Sequence, residues 1–400
     1  MHFARRLKLK KRGSRVLETA AEEVFRLSEK VALPDGVRDF VNSEADLLRF
    51  LRGTLLDEMR LWGYEEVFVP TLELDGVLKR PSAYSEELLY RLFDRKGRVM
   101  VLRPDITQSV ARLAGEQREE QLPLRYSYFG NAFRQLREGS GRPHEVWQAG
   151  FEFIGPDTAQ ADAEALCLGF AALERAGMSE VKACVGYPAL AAGLYSPMNI
   201  PPIGFSEMEL GIQALVNAPE QCVQHLERLV QAVIQCGLEQ SCIFDMTLAR
   251  EIGYYTGPVF EFYAAGGSRP LAGGGRYEHV CSRTGRTIAA TGLAIDVLQV
   301  MTLLKDRESR QSVSRCGVLL GYEPEAFDRA QQLAQCLRKT GNVTEVQQGV
   351  KDARELCERA KQRKRKSAIF VTRSGYEEYV LPEADQRESS GVLTGSSGWH

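Results

Sequence analysis

Two strand-like segments, LRYSYFG at 124–130 and EVWQAGFEFIG at 145–155, flank the polar stretch REGSGRP, and no other feature restricts the fold as much. The pattern predicts a β-hairpin with a flexible tip, which commits this part of the chain to antiparallel pairing. Side chains alternate along a strand, so Gln148, Gly150 and Glu152 share one face, and an amide and a carboxylate can line one pocket floor. A solvated face with paired charges is the other reading, and pattern alone leaves both open.

Elements on either side extend this picture. Leu47, Leu48, Leu51, Leu55, Met59 and Trp62 fall on one face, predicting a helix over 44–62 with Ser43 as N-cap and Gly63 as its end. EEVFVP then reads as a short strand closed by Pro70, and VMVL at 99–102 as another. A helix is expected over 158–176, and one or two helices broken near Pro219 over 206–236. CIFDM, VFEFY and PLAGGGRY form a second β-rich stretch turning at Gly266-Gly267, closed by helices near 277–283 and 296–305.

At 400 residues the chain is long enough for two or three domains. Residues 1–30 read as a basic, then helical extension. Residues 31–305 read as the main body, with a helical insertion around 195–240, and KDRESRQSVSR lacks apolar periodicity, placing a linker at 306–315. From 316 to 385 strands and helices alternate, the pattern of a small α/β domain, and 386–400 reads as a polar tail.

Charge and cysteine usage narrow the function classes. Residues 1–15 hold seven Lys or Arg and no acid, leaving 44 basic against 53 acidic residues, a net −9, in the rest. Such a body is poorly suited to gripping tRNA by its bulk field. No apolar stretch is long enough to cross a membrane, and nothing resembles a secretory signal. The nine cysteines form no CxxC pair and read as reduced, mostly core thiols of a cytoplasmic protein. The five histidines show no metal-ligand spacing, and no cofactor motif or GxSxG is present.

Four clusters carry chemistry. Arg103-Pro104-Asp105-Ile106-Thr107 places an acid and a hydroxyl between a strand and a helix, where they can hold a ligand ammonium or simply cap the helix. Phe133-Arg134 lies across the hairpin from Gln148 and Glu152. Arg250 to Gly257, with paired Tyr254 and Tyr255, offers either a hydrogen-bonding pocket wall or two core aromatics. Ala272 to Tyr277 holds three glycines, which allow close backbone approach or a tight turn. The basic run Lys361, Arg363, Lys364, Arg365, Lys366 suits a helix end or an acidic partner.

Taken in order, these segments resemble the core of class II aminoacyl-tRNA synthetases, specifically histidyl-tRNA synthetase, over about residues 31–305. LPDGVRDF and GYEEVFVP are similar to its lead-in and first motif, RPDIT to its amino-acid-binding turn, and SYFGNAFR through QAGFE to the second motif. REIGYY is similar to the histidine-specific segment, and AGGGRYEHV through ATGLAIDVLQV to the third motif. The resemblance implies an α+β fold: an antiparallel sheet flanked by helices, acting as a dimer, followed by a small α/β domain like a diverged anticodon-binding domain.

Departures from that pattern cluster on one side of the site. Leu136 stands where the family has an adenine-reading glutamate, and a position near His144 replaces a loop arginine. Gln299 stands for the third-motif arginine, and Gly253 for an Asp. Loss of a guanidinium at a phosphate removes charge-assisted hydrogen bonds. Asp105, Thr107, Gln148, Glu152, Arg250, Tyr254 and Tyr255 remain, with Asp105 one methylene shorter than the usual Glu. This combination resembles the regulatory subunits of ATP phosphoribosyltransferase, paralogues of the synthetase. That resemblance implies a non-catalytic partner of the short-form catalytic subunit, required for the first step of histidine biosynthesis, with L-histidine as feedback ligand. It implies Asp105, Thr107 and Gln148 toward the histidine ammonium, Arg134 toward its carboxylate, and Glu152 toward its imidazole beside Tyr254 or Tyr255. An active histidyl-tRNA synthetase and a synthetase-like sensor of histidine or tRNA are the competing readings.

Overall fold

The computed structural model describes residues 33–78, 86–137, 139, 141–192, 202–208, 219–248, 255–280, 287–308, 317–363, 365–381 and 392–395. The basic extension expected over residues 1–30 lies outside them. The chain divides into two compact units, one ending at Leu304 and the other beginning at Lys305.

The first unit opens with helix α1 (Ser43–Leu61), whose Leu51, Leu55 and Met59 are fully buried. Removing each from water contributes roughly 1.5–3 kcal/mol. Asn42, not Ser43, holds the cap position, without a side-chain cap hydrogen bond. Glu44 and Asp46 still sit in the first turn, where they favour the helix dipole. Gly63 follows the helix end in the left-handed conformation. Trp62 points largely outward, so the apolar face is shorter than its spacing predicts.

Strand β1 (Glu65–Glu66) is shorter than EEVFVP predicts. A separate small sheet follows, made of β2 (Leu72–Leu74), β3 (Arg91–Phe93) and β4 (Val99–Leu102) in the order β2-β4-β3. Helix α2 (Thr107–Gly115) leads to the hairpin, β5 (Leu124–Phe133) and β6 (Glu145–Ile154), paired antiparallel over its full length. Helix α3 (Ala159–Arg175) is capped by Thr158, whose hydroxyl accepts from the Ala161 amide. Next come β7 (Val181–Gly186), β8 (Ile203–Gly204) and α4 (Glu220–Gln235), with Pro219 at the cap of α4 as the break predicted.

The unit closes with β9 (Cys242–Phe244), β10 (Tyr255–Ala264), β11 (Ala272–Val280), β12 (Thr287–Asp296) and the first turns of α5 (Val297–Glu308), which runs on past Leu304 into the expected linker. Together β1 and β5 to β12 form a nine-stranded sheet ordered β1-β5-β6-β12-β11-β10-β7-β9-β8. Its central pairs are antiparallel, and only β1 with β5 and β7 with β9 run parallel. Ala149, Phe151, Phe153, Leu293 and Ile295 turn to one side, forming a core with α1, α3 and α4. This is the helix-flanked antiparallel sheet of the expected α+β class. Two readings fail here. Residues 277–280 are strand rather than helix, because their backbone pairs with Thr287–Ala290, and the glycines at 273–275 lie inside β11 rather than in a turn.

The second unit carries β13 (Val318–Tyr322), α6 (Phe327–Lys339), β14 (Thr344–Val346), α7 (Ala353–Gln362) and β15 (Ser367–Val371). Alternate residues of β13 and β15 feed two cores: Leu320 and Ile369 meet α6, while Leu319 and Ala368 meet α7. Antiparallel β16 (Tyr376–Val380) and β17 (Val392–Gly395) extend the sheet, so part of the expected polar tail is strand. The basic run is anchored within its own unit. Arg363 and Arg365 pair with Glu345, and Lys366 donates to the Asn342 side chain.

Candidate functional site

Opposite the helix-packed face, the sheet register builds a floor of small residues. One row reads Tyr126, Glu152, Gly292, Gly275 and the next Tyr128, Gly150, Ala294, Gly273 across β5, β6, β12 and β11. Large neighbours are excluded by contact: a β-carbon on Gly292 would collide with the Glu152 carboxylate, and one on Gly150 with the Tyr128 ring. The glycines therefore make room for the Tyr128 ring and the Glu152 carboxylate on the sheet surface.

That acid, Glu152, is 1% exposed. Its Oε1 accepts from the Tyr128 hydroxyl at 3.3 Å and its Oε2 from the Tyr277 hydroxyl at 2.9 Å. Burial raises its pKa to about 8 against the opposing hydrogen bonds of Thr107, Tyr277 and Tyr128. Burial, with the neighbouring Glu152 charge, also pushes both tyrosines above their usual value, which keeps them as hydroxyl donors. Thr107 Oγ1 lies 3.3 Å from the Tyr128 hydroxyl, completing a chain Thr107, Tyr128, Glu152, Tyr277.

Asp105 is 3% exposed, and its Oδ1 accepts from the Gln108 amide at 2.9 Å. The capping role is thus real. Asp105 also lies close enough to raise the pKa values of Tyr128 and Glu152, so it serves the helix and the site face together. Gln148 is 8% exposed with its Oε1 buried and unpaired among the described residues. A buried acceptor without a donor costs about 1–3 kcal/mol, which a ligand N–H can recover. Arg134 donates from Nε to the Pro104 carbonyl at 2.9 Å, tying the end of the hairpin strand to the Asp105 turn. Tyr255 stands opposite Tyr277 and packs with Tyr128.

The structure thus gathers Asp105, Thr107, Glu152 and Tyr255 at one end of the floor, with Gln148 further along the same strand face and Arg134 at its margin. Arg250 and Tyr254 lie outside the described residues. Tyr128 and Tyr277, which hold Glu152, were quoted in the sequence motifs without a role. The signal was the alternation of the hairpin, but only the register puts the tyrosines beside the acid.

The other end differs. Gln299 sits in the first turn of α5, its backbone amide donating to Asp296 Oδ1 at 3.0 Å. Burial raises the Asp296 pKa, with Arg134 and Arg269 lowering it in part. His144 Nδ1 lies 2.6 Å from the Tyr90 hydroxyl, and its backbone amide donates to the Gly36 carbonyl. The imidazole at this loop position is engaged with a tyrosine of its own unit.

A family model described as histidyl-tRNA synthetase matches residues 36–210 and 204–300. The ATP phosphoribosyltransferase regulatory subunit of Symbiobacterium thermophilum is 31% identical, covering 86% of this chain and 97% of its own. That of Shouchella clausii is 32% identical over 77% of this chain and 88% of its own. Among solved structures, an ATP phosphoribosyltransferase regulatory subunit/histidyl-tRNA synthetase from Bacillus halodurans superposes with a TM-score of 0.73 at 26% identity, covering 86% and 98% of the two chains. A Nostoc histidyl-tRNA synthetase, with a TM-score of 0.74 at 15% identity over 91% of this chain and 97% of its own, shares the fold.

Proposed function

The chain belongs to the histidyl-tRNA synthetase family, among its ATP phosphoribosyltransferase regulatory subunits, and from that premise we propose that it is a non-catalytic, histidine-sensing subunit of that enzyme. One observation carries the reading. A buried polar cluster around Glu152 is assembled and hydrogen-bonded, while the positions where the synthetase family binds ATP read Leu136, His144 and Gln299. Adenylation needs cationic donors on the phosphates; an amide at 299 and an apolar side chain at 136 supply neither charge nor acceptor.

In this proposal L-histidine lies on the glycine floor. Its imidazole N–H donates to Glu152, its ammonium meets Asp105, Thr107 and the unpaired Gln148 Oε1, and its carboxylate faces Arg134, with Arg250, Tyr254 and Tyr255 closing the pocket. Feedback then requires histidine to bind one state of the complex more tightly than another, because a ligand shifts an equilibrium only by differential affinity. The partner is the short-form catalytic subunit, and the cytoplasm is the compartment. Among the described residues no helix is long and apolar enough to cross a membrane.

Self-association belongs to the same proposal. Leu72, Leu74 and Leu92 are exposed on the small sheet, and Phe68 and Phe93 stand exposed nearby. Exposed apolar side chains of this kind suit a subunit interface better than water.

Co-purification with a short phosphoribosyltransferase chain, and restored transferase activity on mixing, tests the reading; a catalytic chain indifferent to this protein overturns it. Retained Arg134 and the shared fold are what favour an active synthetase. Histidine-dependent ATP-pyrophosphate exchange above background decides for that alternative.

A further inference from the structure

Arg103 opens the turn that carries Asp105 and Thr107, and it is buried. Its guanidinium spreads over two other segments of the chain. Nε donates to the Asn131 carbonyl of β5 at 2.8 Å, and Nη1 donates to the Val69 carbonyl at 2.8 Å, with the Pro70 carbonyl 3.3 Å from the same nitrogen. The Asn131 side-chain oxygen lies 3.4 Å from Nη2, while the nitrogen of that amide donates to Glu145 at 2.7 Å. The main chain is held too: the Arg103 amide donates to the Thr71 carbonyl at 3.0 Å, and its carbonyl accepts from the Phe133 amide at 2.9 Å.

These partners are carbonyls, not acids. Among the described residues no carboxylate forms an ion pair with Arg103, and Glu73, whose charge reaches it through space, is bonded to Arg112. Burying a cation without an opposite charge beside it costs free energy, and a planar fork of donors is what carbonyls from separate segments require. The sheet also makes room for the group. Gly130 shares the site face with Tyr128 and stands opposite Gln148, and a β-carbon there would lie 2.7 Å from Arg103 Nη2 and 3.3 Å from Ile106 Cδ1. The guanidinium therefore ends on the sheet floor in the row of Gln148.

We propose that Arg103 is the positioning residue for the ammonium end of the pocket: by joining the Val69–Pro70 segment to β5 at the start of the turn, it fixes where Asp105 and Thr107 stand relative to Glu152. This rests on the histidine reading above, in which those two side chains meet the ligand ammonium. Arg103 itself touches no ligand and acts through the turn. Asp105 is one methylene shorter than the glutamate that the synthetase family carries there, so its reach depends on where the turn is held. Thr107 is referred to the same frame, since its Oγ1 lies 3.3 Å from the Tyr128 hydroxyl that donates to Glu152. A binding group works only when the residues behind it lock its place.

The test measures L-histidine binding to the full chain by calorimetry, with Arg103→Lys placed in three backgrounds. Lysine keeps the charge and loses the fork. In the wild-type background the expected loss of affinity is about tenfold, and in Tyr277→Phe, at the imidazole end, it is again about tenfold, because distant sites add. In Asp105→Asn, which keeps the cap of α2 but removes the acid from the ammonium, the further loss is less than about twofold, because the two changes act through one contact. Gly130→Ala, whose β-carbon presses on Nη2 with Arg103 retained, is expected to give the same pattern and carries the test where Arg103→Lys does not fold. An equal loss in all three backgrounds, as a general loosening of the fold would produce, overturns the proposal, and so does unchanged affinity in Arg103→Lys. Wild type that binds no histidine overturns the histidine reading and this proposal with it.

Discussion

The two ends of the sheet floor are built on opposite principles. At the Glu152 end, a chain of buried hydroxyls from Thr107, Tyr128 and Tyr277 surrounds one acid, and Gly150 and Gly292 leave room for the Tyr128 ring and the carboxylate. At the Gln299 end, the contacts are local: Asp296 accepts from the Gln299 backbone amide, and His144 meets Tyr90. The acid is thus held by side chains from a helix and two other strands, a setting built around one buried group, whereas the Gln299 end rests on a backbone cap and one imidazole contact.

If that contrast is correct, substitutions at the two ends have unequal effects on histidine binding, measured by calorimetry. Glu152→Ala has the largest: at least 100-fold weaker binding, about 3 kcal/mol, because the buried carboxyl that meets the imidazole is removed and two buried tyrosine hydroxyls lose their acceptor. Unchanged affinity would remove the pocket assignment. Gly292→Ala comes next, since its β-carbon displaces the carboxylate; binding drops by tens of fold, and overpacking destabilises the protein by about 1–3 kcal/mol. Tyr277→Phe deletes one donor to Glu152 and is expected to weaken binding roughly tenfold and to lower the melting temperature by a few degrees, because a buried oxygen loses its donor. At the other end, Gln299→Ala changes histidine affinity less than about twofold, since it lies outside the hydroxyl chain. A large loss there would erase the distinction between the two ends.

The pH dependence of stability sharpens the comparison further. The folded pKa of Glu152 is raised to about 8 from a usual 4.5, so the folded protein holds a proton that the unfolded chain releases between those values. Its stabilising contribution is complete below pH 4.5 and lost as pH rises through about 8. Without ligand, Glu152→Gln should therefore melt several degrees above wild type at pH 9, with the gap closing toward pH 5. A gap independent of pH would place Glu152 in a solvated setting.

Much of this was legible from residue order. The apolar faces of α1 and α3, the β5-β6 hairpin and the alternating elements around β13 to β15 follow from periodicity, because each buries a repeating face against a large core. β12 escaped notice, although it is central, because its run of Ala, Gly and Thr lacks the bulky β-branched pattern that announces a strand. β16 is half-exposed along its length, leaving no alternation to read. The failed helix at 277–280 has the same origin as the failed glycine turn: both segments are held by pairing with β12, a partner distant in sequence.

Sequence by itself determined the hairpin, the two-part organisation, the family resemblance and most of the polar residues around Glu152. It also told which positions had changed, at Leu136 and Gln299, because side-chain chemistry is written residue by residue. Tertiary structure alone decided that Glu152 is buried, that Tyr128 and Tyr277 are its donors, that the Gln148 oxygen lacks a partner among the described residues, and that Gly292 makes room for the carboxylate. The reason is physical: burial and register arise from strands brought together across more than a hundred residues, and the pKa of an acid depends on what surrounds it in space.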